Sequence, residues 1–316
     1  MPEAATTPKF TVFTPTYNRA RTLHRAWESV RAQTFGEFEW LVIDDGSTDN
    51  TRELVEGWAK QAPFPVRYIW QTNQHKKVAF NRAVKEAQGE LIIALDSDDT
   101  CVPEALERLW RHWNNIPVAE REGFAAVTAL CMDQDGHRIG DAFPGGDWID
   151  STGTEILHRW KVRGEKWGFQ RTSVMKTLPF PEDLPGLVPE GYVWSQVDQN
   201  YRTRFVNEML RVYYRDQDDS LITGQTRDPA KDANGAVLCE ANELSVGIRW
   251  FWHDSFALAR KAANLVRITL HCTLPRSRLE PLWAKQPLGA RLLLLLTSPV
   301  GVAVWMADRW RHRAQG

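Results

Sequence analysis

Glu90-Leu-Ile-Ile-Ala-Leu-Asp-Ser-Asp-Asp99 runs five apolar residues straight into three carboxylates within four positions. Apolar side chains on both faces suit a central strand of a covered parallel sheet, and such sheets bind ligands where their strands' carboxyl ends emerge. On an extended chain Asp96 and Asp98 point the same way. Paired hard oxygen ligands of that kind suit Mg²⁺ or Mn²⁺ shared with a phosphate. A plainer reading stands beside this one: a solvated turn whose acids cap a helix starting near Pro103.

Upstream, Phe10 to Thr14 reads as a strand that breaks at Pro15-Thr-Tyr-Asn-Arg19, followed by a helix to about Ala32. Phe38 to Ile43 is a second strand. It ends in Asp44-Asp-Gly-Ser-Thr-Asp49, a turn-forming run in which Thr48 or Asp49 can cap a helix to about Lys60. Pro65 to Trp70 is a third strand and Lys77 to Ala87 a third helix. The alternation predicts an α/β fold wound on a mostly parallel sheet. Two of its strand ends carry acids, Asp44/Asp45 and Asp96/Asp98, which points to a bound cation or hydrogen-bonding ligand.

Three segments, in this order, resemble family-2 glycosyltransferases: FTVFTPTYNRARTLHRAWESVRAQTF, EWLVIDDGSTDNT and NQHKKVAFNRAVKEAQGELIIALDSDD. Together they span roughly the first hundred residues; beyond Pro103 the likeness is weaker. The resemblance implies a GT-A fold, a Rossmann-like central sheet flanked by helices, in an inverting enzyme that uses a nucleotide-diphosphate sugar, UDP-linked in the first instance. It places Pro15, Thr16, Tyr17 and Asp45 beside the nucleotide base and ribose, with Asp44 helping the base pocket. Asp96 and Asp98 become the DxD motif that meets ribose and metal. Lys77, in a turn before a helix, and Arg215 and Ser220, near a loop resembling the family's diphosphate-closing loop, become phosphate contacts; each is equally an ordinary surface turn. His75-Lys76-Lys77 departs from the small residue, such as Gly, that many members have in this neighbourhood.

Displacement of a sugar from its donor also needs a base for the acceptor hydroxyl. The candidates are Glu182, Asp183, Glu190 and Asp198. Relatives usually carry an acidic pair before a helix; Pro189-Glu-Gly-Tyr-Val-Trp194 offers a single acid there. Glu190 is preferred, before an expected helix from Tyr192 to Phe205, and Asp183 is the alternative. Glu190 could also serve only the helix N-terminus. Trp167 and Trp194 are candidates for the acceptor pocket, although most of the fifteen tryptophans are expected in the core.

The 316 residues divide, on this reading, into a catalytic domain over 1–225 and a helical extension over 226–316. A net charge of −1 leaves no nucleic-acid footprint. Four scattered cysteines and the lack of an apolar leader at the N-terminus suggest a reducing cytoplasm. In the extension, Ala241 to about Leu270 reads as one long helix or a helix pair. The apolar segment 288–310 is interrupted by Arg291 and Pro299 and ends in Trp305, Arg309, Trp310, Arg311 and Arg313. That pattern suits an in-plane contact with the inner face of the cytoplasmic membrane; packing on protein and a true span are the alternatives. Membrane attachment would match a lipid-linked glycan acceptor and surface-polysaccharide assembly, as the family suggests.

Two other classes share these residues. Asp96-Ser-Asp-Asp-Thr100 fits the nucleophile motif of haloacid-dehalogenase-like phosphatases, yet three strands precede it and Gly146-Asp-Trp-Ile-Asp150 is one residue short of their later motif. A calcium loop fails because Cys101 stands where glycine is needed. A non-catalytic nucleotide-sugar-binding scaffold would have the same fold.

Overall fold

The computed structural model describes residues 7–214, 230 and 232–315. In chain order the elements are β1 (Phe10–Thr16), α1 (Leu23–Arg31), β2 (Phe38–Asp44), α2 (Thr51–Ala59), β3 (Val66–Trp70), α3 (His75–Glu86), β4 (Leu91–Ala94), β5 (Thr100–Cys101), α4 (Ala105–Asn114), β6 (Phe124–Asp133), β7 (Arg138–Ile139), β8 (Trp148–Ser151), α5 (Gly153–His158), β9 (Lys166–Arg171), α6 (Thr172–Met175), α7 (Gly191–Asn200), β10 (Arg202–Tyr213), α8 (Ala233–Gly247), α9 (Ser255–His271), α10 (Arg276–Ala284) and α11 (Leu288–Gln315). They form two compact units.

The first unit comprises Met1–Ser151, Val162–Pro179 and Tyr201–Thr223. Its described residues build a ten-stranded sheet in the order β3-β2-β1-β4-β9-β6-β10-β5, with β7 on β6 and β8 on β10. β3, β2, β1 and β4 are mutually parallel, as the alternating sequence predicts. Beyond β4 the sheet is mixed: β9 is antiparallel to β4 and β6, while β10 runs parallel to β6. Every residue of β2 is buried, as expected of a strand covered on both faces. On one face Trp27 of α1 stacks on Trp40 and Trp58, with ring centroids 5.6 and 5.5 Å apart, so several tryptophans are core residues. Glu39 lies fully buried in this strand, where it accepts from Thr11 Oγ1 at 2.7 Å and Gln88 N at 2.9 Å and pairs with Arg67 at 3.0 Å. Those partners offset the desolvation of its charge. Gly89 lets the turn into β4 run against β1, since a Cβ there would lie 2.4 Å from Thr11 N.

One expectation is corrected in this part of the chain. The helix expected from Tyr192 to Phe205 ends at Asn200, and a long strand begins at Arg202. The reason is pairing: Thr203 to Val206 bond to β6 on one side and β8 on the other, which outweighs local helical pattern.

The second unit comprises Thr152–Lys161, Phe180–Asn200 and Gly224–Gly316. Residues 152–161 and 180–200 thus pack with the C-terminal helices rather than with the sheet, so the compact units do not follow a single cut near 225. Asp198 of α7 accepts from Gly153 N, Thr154 N and Thr154 Oγ1 at 2.8, 2.6 and 2.6 Å. His158 of α5 meets Asp254 at 2.9 Å. The Ala241–Leu270 stretch is a pair of helices, α8 and α9.

α11 continues through both expected interruptions. Proline lacks the N–H that would bond the fourth carbonyl back. In the turn before it, Thr297 Oγ1 donates to Leu293 O at 2.8 Å and Ser298 Oγ to Leu294 O at 2.7 Å. Arg291 reaches back to Gln286 O and Ala284 O at 2.8 and 2.6 Å, which satisfies its guanidinium within the first turn of the helix. A Cβ at Gly301 would lie 2.5 Å from Ala263 O, so α11 packs closely along α9.

Candidate donor site

β1 is flanked by β2 and β4, and all three run parallel. Pro15–Tyr17, Asp44–Asp45 and the Asp96–Asp98 segment therefore emerge along one edge, where the winding of the sheet reverses direction. Thr16 is 3% exposed and its hydroxyl makes no hydrogen bond with a described residue; Tyr17 beside it is exposed. The Asp45 amide donates to Thr16 O at 2.8 Å, while Asp45 Oδ1 accepts from Gln71 Nε2 at 2.8 Å and Gln74 N at 3.0 Å. Asp44 is occupied within its own turn, with Oδ1 accepting from Ser47 N at 2.7 Å and Oδ2 from the Tyr68 hydroxyl at 2.5 Å. Burial and that carboxylate push the Tyr68 hydroxyl well above its ordinary value.

The loops after β1 and β2 are latched together. Asn18 N donates to Ser47 Oγ at 2.8 Å, Thr48 N returns to Asn18 Oδ1 at 2.8 Å, and Ala20 N donates to Asp49 Oδ2 at 3.1 Å. Gly46 takes φ +93°, and a Cβ there would stand 2.9 Å from Asn73 N. The turn after β2 is therefore closed against the segment leading into α3.

Asp96 and Asp98 are not on extended backbone. β4 ends at Ala94, and Asp99 N bonds Asp96 O at 3.2 Å, so the three acids occupy a turn; side-chain alternation holds only while the chain stays extended. Each acid then has a different fate. Asp96 Oδ1 pairs with Lys76 at 3.0 Å and Oδ2 with Arg211 at 2.9 Å. Arg211 also donates through Nε to Asp99 Oδ2 at 2.8 Å, and Asp99 Oδ1 accepts from Tyr214 N at 3.1 Å. Asp98 is half-buried, and its carboxylate makes no hydrogen bond or ion pair with a described residue. Arg25 stacks on the Tyr214 ring at 4.2 Å and approaches Asp98 O at 3.5 Å. Burial pushes the Asp96 carboxyl up, but Lys76 and Arg211 overcome that and hold it at about 2.

Arg211, Asp99 and Lys76 are the site residues that the sequence reading missed. Arg211 is only 8% exposed, between Leu210 and Val212; an arginine inside an apolar strand, opposite a chain of three acids, was the available signal. Of the two lysines, Lys76 pairs with Asp96, whereas Lys77 is 6% exposed in the first turn of α3. His75 takes φ +71°, a left-handed conformation in which glycine is at ease; this fits the small residue expected here in relatives. Arg215 and Ser220 lie outside the described residues. Trp167 is a core residue whose Nε1 donates to Ala94 O at 2.5 Å.

The base candidates lie in the second unit. Glu190 is exposed in the turn that opens α7, and its carbonyl accepts from Val193 N at 2.9 Å. Asp183 is ion-paired with Arg278 of α10. Asp198 is consumed in capping α5, and burial pushes its carboxyl above the ordinary range. Elsewhere in the first unit, Asp133, Asp135 and His137 bring ligand atoms within 4.8 Å of one another, but Asp133 Oδ1 already accepts from the amides of Asp135 and His137 at 3.1 and 2.9 Å, which accounts for the turn between β6 and β7.

Residues 11–120 match the glycosyl transferase family 2 profile. The likeness to family-2 glycosyltransferases thus lies in this segment, about a third of the chain. An uncharacterized glycosyltransferase of Nostoc sp. is 43% identical over 101 residues, 32% of this chain and 31% of the relative; the chain thus matches about a third of that protein's length. A GalNAc(5)-diNAcBac-PP-undecaprenol beta-1,3-glucosyltransferase of Campylobacter jejuni is 27% identical over 226 residues, 70% of this chain and 69% of the relative. Among solved structures, Staphylococcus aureus TarS 1–349 in complex with UDP-GlcNAc aligns over 95% of this chain and 92% of its own, at TM-score 0.61 and 18% identity. A mannosyltransferase from Pyrobaculum calidifontis in complex with GDP-Man and Mn²⁺ aligns over 96% and 88% at TM-score 0.55 and 18% identity. The fold is that of these GT-A-type glycosyltransferases, with a helical C-terminal part.

Proposed function

We propose that the protein transfers a sugar from a nucleotide-diphosphate donor, UDP-linked in the first instance, to a hydroxyl of a glycan or lipid-linked acceptor, with inversion. The observation that carries this reading is the meeting of Thr16, Asp45 and the Asp96–Asp98 turn at the carboxyl ends of three adjoining parallel strands. The Thr16 hydroxyl, partnerless among the described residues, and the fixed Asp45 carboxylate are suited to base and ribose, with Pro15 and Tyr17 as apolar walls and Asp44 holding the turn. Asp96 and Asp98 offer only carboxylate oxygens, which fits Mg²⁺ or Mn²⁺. When bound, such a cation offsets charge on the departing diphosphate without a proton transfer. Arg211 keeps Asp96 ionised, and Lys77 and Arg215 are proposed phosphate contacts. Glu190 takes the acceptor's proton, and a single displacement assisted by one base inverts the anomeric centre. The ligands named for the TarS and Pyrobaculum structures, and the undecaprenol-linked substrate named for the Campylobacter relative, support this class of donor and acceptor.

The same reading places the protein on the inner face of the cytoplasmic membrane, in surface-polysaccharide assembly. α11 is long and apolar enough to cross a membrane by length and composition. However, its acid, Asp308, pairs with Arg267 at 2.5 Å and His271 at 3.2 Å on α9, a helix that also carries Arg260 and Lys261. A helix fastened along such a polar neighbour, with Leu292, Leu295, Leu296 and Val300 turned outward, suits in-plane attachment better than a span.

Replacing Glu190 by Gln tests the chemistry. Turnover of UDP-sugar should fall by about a hundredfold or more while UDP binding is retained. Unchanged turnover would remove Glu190 from the reaction, and turnover by neither protein with any donor, despite UDP binding, would favour a sugar-nucleotide-binding scaffold.

A further inference from the structure

The Asp96 carboxylate stands between two cations of unlike character. Arg211 is fixed: its side chain is 9% exposed, and it is tied to Asp99 as well as Asp96. Lys76 carries its ammonium on a flexible four-carbon stem with 42% side-chain exposure in the first turn of α3. Its ammonium lies 3.0 Å from Asp96 Oδ1, the side of the acid that Arg211 leaves open. Asp98, the other carboxylate of the pair, is held by no such partner among the described residues. A divalent ion using both acids must displace Lys76 from Asp96 Oδ1, and the oxygens of an incoming diphosphate are acceptors to which the displaced ammonium can turn.

We infer that Lys76 is a tethered, displaceable counter-ion of the metal site, which couples cation binding to arrival of the nucleotide diphosphate. Without nucleotide, Lys76 neutralises Asp96 and repels an incoming divalent ion. With nucleotide, the diphosphate supplies the oxygens to which the ammonium transfers, and Asp96 Oδ1 opens toward the cation. Arg211 cannot take this part, because releasing it would leave the buried Asp99 without its guanidinium. The inference rests on the donor-site reading above.

The test is Mn²⁺ titration of the full chain, read as the electron paramagnetic resonance signal of free Mn²⁺, without nucleotide and then with UDP. An ammonium and a divalent ion about 6 Å apart in a water-like dielectric repel by roughly a factor of ten in affinity. Lys76→Met should therefore bind Mn²⁺ alone about tenfold more tightly than the wild type, and UDP should tighten it further by much less than it tightens the wild type. Lys76→Arg should keep the wild-type coupling, and thermal melts verify that both variants are folded. Equal Mn²⁺ affinity and equal UDP coupling in Lys76→Met and wild type would overturn the inference while leaving the donor site intact. Failure of the wild type to bind Mn²⁺ even with UDP would overturn the donor-site reading and this inference with it.

Discussion

The strand ends of the first unit and the α9/α11 pair of the second spend their residues in opposite ways. At the strand ends, charge is turned inward: Asp44, Asp45, Asp99 and Arg211 are all buried, each with partners that fix its geometry. Along α11, apolar residues are turned outward, while its one acid is buried against α9. Burying charge is unfavourable unless each group is paired, and exposing leucine gains nothing from folding. Both departures from ordinary burial support the proposed contacts, with a polar ligand in one case and an apolar surface in the other.

The largest expected effect comes from removing the fixed cation. Arg211→Met leaves Asp96 with one partner and Asp99 buried without its guanidinium, and stability should drop by about 3–5 kcal/mol, measured as the urea unfolding midpoint. A change under about 1 kcal/mol would mean that the acids are not held by this residue.

The second effect depends on pH. Asp96 is held at about 2, below its unfolded value near 3.8, so its ion pairs stabilise the folded state above about pH 4 and that stability is lost as pH falls toward 2. The gap in unfolding midpoint between the wild type and Asp96→Asn should narrow across that window and stay flat from pH 5 to 7. A gap that widens on acidification would contradict the pairing.

The smallest stability effect is expected on α11. Leu295→Glu with Leu296→Glu alters two outward side chains and should change stability by under about 0.5 kcal/mol, yet abolish sedimentation with anionic phospholipid vesicles. Retained vesicle binding would remove α11 from the membrane reading.

How far each region could be read in sequence follows from the range of its interactions. The parallel half of the sheet was legible because each strand and helix there carries its own period and turn signals, as in Phe38–Asp44 followed by Asp45-Gly-Ser-Thr-Asp49. The acid clusters were legible as a local anomaly. Their partners were not, since Arg211 reaches Asp96 and Asp99 from 115 and 112 residues away. The early start of β10 was hidden for the same reason, its pairing with β6 and β8 being written in other segments. Pro299 was read as a break because proline cannot donate the helical bond, whereas the packing of α11 along α9 that holds the helix together is written in residues far away in sequence.

The central claim is that the acids beyond β1, β2 and β4 form a metal-assisted nucleotide site. Calorimetric titration with UDP, GDP, dTDP and CDP, each with and without Mn²⁺, tests it most directly, with Asp98→Ala alongside. Binding of one nucleotide, UDP in the first instance, is expected to strengthen with Mn²⁺ and to lose that dependence in Asp98→Ala. Absence of binding by the folded wild type to every nucleotide, or Mn²⁺ dependence that survives in Asp98→Ala, would contradict it.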